Sequence, residues 1–302
     1  MSISLPTLRQ ISLATIVIAP LLAGCSGGSM LRGMLGDSES SSRAATSGKG
    51  EALAPDLSES SDSAVGKLYN DGLANLNSGS YKTAQKKFAE VERLHPYSKW
   101  ATKAIIMQAF TAYQGNRYDD AVNAGRRFIA LHPGHKDTPY AYYLVAISEY
   151  EQIADIRRDQ SRTEKAVEAL DEVARRFPDS PYAADAQRKS LAAKDHLAAK
   201  EMEVGRYYMK KQSYLAGINR FKKVVTDYQT SSQTPEALYR LAEGYMALGV
   251  VSEAQTAAAV LGHNFPNSQW YKDAYQLVST DGRQPVASSG SWISRAFRNP
   301  FG

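Results

Sequence analysis

The chain of 302 residues contains one cysteine, Cys25. A lone thiol excludes a disulfide framework, so any folded body must be held by its hydrophobic core. Long apolar runs are equally scarce. One short stretch, Ile11 to Leu22, stands near the amino terminus, and no other approaches the roughly 20 residues that span a bilayer. Neither sign of charge dominates: 36 Lys and Arg stand against 31 Asp and Glu, a net +5. A solvated surface accounts for that balance, and without a dense basic block nucleic acid is not an expected partner. Strand-type alternation is absent. So are HExxH, GxSxG, a phosphate loop and a dinucleotide fingerprint. A non-enzymatic protein without cofactors is therefore expected. His132 and His135 could share a metal in principle, but no Cys or well-spaced carboxylate joins them. His95 and His132 each precede a proline in Leu-His-Pro and read as turn residues.

What the sequence does contain begins at its amino terminus. Residues 22–25 read Leu-Ala-Gly-Cys and close the apolar run, which follows Arg9 and a Pro6 break. A basic start, a short apolar stretch and small residues before a cut form a signal-peptide layout. Cysteine directly after Gly24 makes it the lipobox pattern of bacterial lipoproteins. The expectation is that residues 1–24 are removed and that Cys25 carries diacylglycerol on its thiol and an acyl chain on its new amino group. Each buried CH2 then contributes about 0.8 kcal/mol to anchorage. Ser26 follows Cys25 where Asp would favour the inner membrane. That points to the periplasmic face of the outer membrane.

Residues 25–64 are rich in Ser, Gly, Asp and Glu, including Asp37-Ser-Glu-Ser-Ser-Ser42. Such a composition cannot offset its ordering entropy and reads as a tether. From Val65 to about Val278 apolar residues recur at helical spacing, and a longer period overlies it. Tyr81-x-x-Ala84, Tyr118-x-x-Ala121, Ala166, Tyr214-x-x-Gly217 and Val251-x-x-Ala254 each lead, twelve residues on, to Pro96, Pro133, Pro178, Gln229 and Pro266. Seven after each small residue stands Val91, Phe128, Val173, Val224 or Leu261. Twelve before it, in most units, stands Gly72, Ala109, Gly205 or Ala242. Small residues let two antiparallel helices approach, and proline ends the second helix of each pair. Gly79-Ser80, Gly115-Asn116 and Leu248-Gly249 supply turns. The pattern resembles the tetratricopeptide repeat. The predicted fold is all-α, a solenoid of about five helix pairs with a capping helix at Gln269–Val278.

Unequal spacing divides the array. Residues 65–178 hold units one to three, with an extended loop at Ile153–Arg162. Residues 179–278 hold a long connecting helix, from about Ser180 to Lys211, then units four and five and the capping helix. Residues 279–302 read as a flexible tail unless docked.

Longer strings carry a closer resemblance: His95-Pro-Tyr-Ser-Lys-Trp100, Arg127-Phe-Ile-Ala-Leu-His-Pro133, Asp155-Ile-Arg-Arg-Asp-Gln160, Arg176-Phe-Pro-Asp-Ser-Pro-Tyr182 and Gly217-Ile-Asn-Arg-Phe221. Together with the lipobox they resemble the BamD (ComL-type) family of outer membrane assembly lipoproteins. The resemblance implies that the first three repeats receive targeting signals of unfolded outer membrane proteins. It implies that the last two bind the periplasmic domains of the core subunit BamA, with accessory assembly lipoproteins as further partners. Residues spaced three and four apart on each first helix map the expected groove: Tyr69, Lys103, Phe110, Tyr113, Tyr140, Tyr143 and Tyr150. Leu73 and Ile106 lie on the same stripes and are expected to pack against neighbouring helices. Asp155, Arg157, Arg158 and Asp159 in the long loop read either as a self-paired solvated cluster or as a partner contact. Arg220 lies beside the inward stripe of Gly217, Phe221 and Val224, so it either meets solvent or pairs with a carboxylate. The resemblance places it near the BamA-facing surface. The alternative function is a periplasmic repeat lipoprotein that recruits peptidoglycan hydrolases.

Overall fold

The computed structural model describes residues 63–279 and 284–298; Cys25 and most of the expected tether lie outside them. Among the described residues there are twelve helices and no strand. Ten form five antiparallel pairs: α1 (Ala64–Asn77) with α2 (Tyr81–Leu94), α3 (Lys99–Gln114) with α4 (Tyr118–Leu131), α5 (Thr138–Tyr150) with α6 (Ser161–Arg176), α7 (Ala183–Lys210) with α8 (Tyr214–Asp227), and α9 (Thr234–Ala247) with α10 (Val251–Asn264). Then come α11 (Gln269–Val278) and α12 (Trp292–Arg298). Each of the first eleven helices packs on its sequence neighbours, which makes an all-α solenoid, and α12 packs back on α10 and α8.

The repeat register has a direct structural meaning. Ala84, Ala121, Ala166 and Ala254 are wholly buried, as are Val91, Phe128, Val173, Val224 and Leu261 seven residues on. Bulk is exchanged across each pair. Where the second helix carries Phe88 or Phe221, the first carries Gly72 or Gly205, and a Cβ added to either glycine would meet the ring at 2.7 or 2.4 Å. Between the second and third pairs the exchange is reversed. Gly125 stands on α4 at the phenylalanine position, and Val145 of α5 fills the space above it.

Two kinds of turn alternate. Within pairs, Gly79, Asn116, Gln212 and Gly249 all have positive φ, between 56° and 75°. Each donates its N–H three residues back while the next residue donates five back, as in Gly249 N→Met246 O and Val250 N→Tyr245 O. This is the paired closure of a Schellman motif. The second turn corrects the sequence reading: Asn116, not Gly115, takes the left-handed conformation, which Asn tolerates better than most residues. Gly115 is small for a different reason, since a Cβ there would lie 3.1 Å from that of Tyr81. Between pairs, His95, His132, Phe177, Tyr228 and Phe265 cap the second helices at φ near −131° to −135°. Each carbonyl accepts the N–H of the residue three further on.

Pair four borrows its first helix. α7, of 28 residues, runs about 42 Å. Ser190 and Lys194 meet Asp171 of α6, and Glu201 further along meets α8. The expectation of a flexible tail fails for residues 284–298. Ile293 is fully buried in the core of the last two pairs, with Trp292, Ala296 and Phe297 packed beside it. Trp292 Nε1 donates to Tyr245 Oη at 3.0 Å, and Gln229 Nε2 donates to Ala296 O at 2.8 Å. Polar composition hid three large apolar residues and an alanine that fit one groove.

Candidate binding surfaces

The first helices α1, α3, α5 and α7 present a connected series of aromatic rings. Tyr69 packs on Phe88 and Trp100 at 5.3 and 4.9 Å between centroids. Tyr182 stacks on Tyr143 at 5.0 Å and lies 5.3 Å from Tyr140. Tyr143 Oη donates to Asp185 Oδ2 at 2.6 Å, and Lys189 Nζ reaches the same oxygen at 2.8 Å while lying 5.9 Å from the Tyr150 ring centroid. Burial alone would raise the Asp185 carboxyl. The hydrogen bonds from Lys189, Tyr143 and Arg188 overcome it and hold the group at about 2. Burial pushes the Tyr140 and Tyr143 hydroxyls well above the ordinary phenol value. Lys103 is lowered by burial and by Lys136, with Asp137 opposing.

This geometry corrects the expected groove. Tyr69, Phe110, Tyr140 and Tyr143 are 9, 6, 7 and 5% exposed, so they are packing residues as much as lining ones. Lys103, Tyr113 and Tyr150 are half-buried. The cause is that a first helix inside the array is covered by its own partner and by the preceding pair. Eleven of the sixteen residues of α3 are buried, so helical spacing alone cannot mark its open stripe. Ile106 is buried, as expected, while Leu73 is half-buried. Tyr182, Asp185 and Lys189 were missed because the third unit was closed at Pro178. The aromatic in Asp179-Ser-Pro-Tyr182 and the carboxylate three residues on were the available signal.

Arg220 meets a carboxylate of its own chain. Its Nη1 lies 3.1 Å from Glu201 Oε2, and Lys223 Nζ lies 2.8 Å from Oε1. Burial raises the Glu201 carboxyl, but the two cations outweigh it and lower it. The Arg220 side chain stays 44% exposed, and Lys223, which shares the carboxylate, also feels Asp227. In the long loop, Asp155 Oδ1 accepts from Arg157 N, while Gln160 Nε2 donates to the carbonyls of Asp155, Ile156 and Arg158. Asp159 accepts from Ser161 Oγ. Arg157 Nε reaches Glu203 of α7 at 3.1 Å and Arg158 is exposed. The loop is thus pinned by its own polar groups and by α7. The structure does not bring it together with Arg220 through any of these bonds.

Helix pairs stacked in sequence define a helical-repeat protein, an all-α solenoid. The chain matches the YfiO family of outer membrane lipoproteins over residues 61–261. It is 47% identical over 219 residues to the outer membrane protein assembly factor BamD of Caulobacter vibrioides, covering 72% of each chain. It is 44% identical to the BamD of Rickettsia prowazekii, covering 71% of this chain and 85% of that one. The BamD of Neisseria meningitidis serogroup A is 34% identical, with 71 and 84% covered. The chain belongs to this outer membrane lipoprotein family.

Proposed function

We propose that this chain is a non-enzymatic scaffold and receptor of the β-barrel assembly machinery, lipid-anchored through Cys25 to the periplasmic face of the outer membrane. The supporting observation is the 44–47% identity to two outer membrane protein assembly factors across nearly the whole repeat array. In this reading the inner face of the first three pairs receives extended targeting signals of unfolded outer membrane proteins. The half-buried Lys103, Tyr113 and Tyr150 border the path of the peptide, over a floor of Tyr140, Tyr143 and Tyr182. The last two pairs hold the periplasmic domains of the BamA core subunit, with the half-exposed guanidinium of Arg220 meeting a partner carboxylate.

The test is affinity purification of the full chain from detergent-solubilised envelope, with BamA recovery as the readout. Wild type should retain BamA. Arg220→Ala should weaken recovery while Lys223 still neutralises Glu201 and preserves the helical fold. Cys25→Ala should shift the protein out of the outer membrane fraction. Absence of BamA from the wild-type eluate would overturn the assignment.

A further inference from the structure

The groove filled by α12 has an open counterpart earlier in the array. A cavity of about 330 Å³ lies between α4, α5 and α6, walled by Ile129, Tyr142, Val145 and Ala169 and rimmed by Arg126, Lys165, Glu168 and Glu172. Its size falls at the low end of ligand pockets, roughly 300–1,000 Å³. The repeat register makes the two grooves equivalent. Arg126 and Lys222 each stand five residues after the small residue of their unit, Ala121 or Gly217. Lys165 and Glu253 each stand directly before it, and Glu168 and Thr256 two after it. Val145 and Leu241 are both seven residues past a threonine, Thr138 or Thr234, whose hydroxyl donates six residues back, to His132 O or Tyr228 O.

Three of those positions hold the tail. Lys222 Nζ lies 4.9 Å from the Trp292 ring centroid, Glu253 Oε2 accepts from Ser291 Oγ at 2.6 Å, and Thr256 Oγ1 accepts from Ser288 N at 3.1 Å. The matching groove between α2 and α4 differs in kind. Glu92, Gln108 and Arg127 cross its floor, with Arg127 Nη1 2.6 Å from Glu92 Oε1. Covering that ion pair would carry a desolvation penalty. The α4–α6 groove keeps an apolar floor.

We propose that the groove between α4, α5 and α6 is a docking site for a short amphipathic helix of a partner protein, with a basic residue shortly before an acidic N-cap and an aromatic residue in its first turn. Charge complementarity sets that chemistry. Lys165 replaces Glu253, the acceptor of the N-cap serine, so an Asp cap is favoured, which also suits a helix start. Arg126 replaces Lys222 and can cover an aromatic face. Glu168 replaces Thr256, which accepts from Ser288 three residues before the cap, and attracts a cation there, while Glu172 already pairs with Arg176 at 2.8 Å. A second copy's tail is a poorer occupant: its cap is Ser291, and its Ile293 is already fully buried in its own chain.

The probe is a fluorescein-labelled peptide of residues 288–298 carrying Ser291→Asp, titrated by anisotropy against the full chain. Wild type should bind it. Lys165→Glu should weaken binding roughly tenfold or more, as for a rim charge reversed against its partner. Ala169→Arg should block the groove, and Lys82→Glu, an exposed change on α2 outside both grooves, should change nothing. The Ser291→Lys peptide should prefer the Lys165→Glu protein. Lys165 is exposed, so that variant tests the site even if Ala169→Arg disturbs folding, which circular dichroism would reveal. No binding overturns the proposal. So does a peptide indifferent to Lys165 but sensitive to Glu253, which would mean that it displaces α12. A dimer in sedimentation velocity that Ala169→Arg dissolves would assign the groove to a second copy and equally overturn it.

Discussion

Gly205→Ala tests the packing logic of the array at one atom. The added methyl would sit 2.4 Å from Phe221 Cε1, 2.7 Å from Cζ and 2.9 Å from Cδ1. Phe221 is fully buried, so its ring has no open side to move into. Alanine gains about 1 kcal/mol over glycine within a helix. Overpacking a closed core costs about 1–3 kcal/mol, and a contact this short belongs at the upper end. The net expectation is a loss of about 1–2 kcal/mol, a fall in melting temperature of roughly 2–8 °C for a chain of this size. Urea unfolding followed by circular dichroism should show a lower midpoint. Phe221→Leu in the same chain should recover part of the loss, because shortening the ring vacates the space the methyl needs. The two substitutions should couple by about 0.5–3 kcal/mol. Gly79→Ala is the control. Nothing lies within 4 Å of its added Cβ, and its φ is +75°, so its cost is backbone strain of about 1 kcal/mol that no ring substitution relieves. Were Gly205→Ala neutral or stabilising, or the pair additive, small-for-large exchange would not be what sets the helix approach.

Two further outcomes follow from the same structure. The folded Asp185 carboxyl sits near 2 against an ordinary 3.8, so its contribution is present above the unfolded value and lost as pH falls through the folded one. Halved for solvent screening, that contribution is about 1 kcal/mol. Asp185→Asn should cost that much near neutrality, and its urea midpoint should converge on the wild-type value in strong acid. Ile293→Ala should unlatch the tail without unfolding the body, since α12 has only seven residues and cannot stand alone. Limited proteolysis should then cut near Trp292 while the array from Ala64 to Val278 survives.

The array was legible because it repeats. A small residue with a buried apolar one seven later is a constraint on two helix axes, and one sequence states it five times. The turns were legible in position but not in every conformation. Asn116 and Gln212 take the left-handed geometry that Gly79 and Gly249 take elsewhere, and the Schellman hydrogen bonds enforce it whatever the residue. The groove was less legible. A stripe at helical spacing identifies residues that face something, but Tyr69, Tyr140 and Tyr143 face another helix. Only the third dimension separates those from Lys103 and Tyr150. The tail escaped because Gly, Ser and Pro dominate its count, whereas four side chains, Trp292, Ile293, Ala296 and Phe297, decide where it goes.

Arg220 shows how one register carries both fold and recognition. Three residues past the small position, the other units have Lys87, Ala124, Ala169 and Ala257. Alanine suits that place because the neighbouring helix runs close. The fourth unit departs from it where its first helix is the second half of α7, which offers the buried carboxylate Glu201. Lys223 joins the same carboxylate and also feels Asp227, four residues on. Arg220 is left 44% exposed, so its guanidinium is held by the fold and still open to a partner. The positions that every unit must bury build the solenoid. Those that each unit leaves free differ groove by groove: polar between α2 and α4, mixed between α4 and α6, apolar and filled between α8 and α10. A partner reading this surface therefore reads the departures from the repeat, and the half-exposed Arg220 at the joint with α7 is one of them.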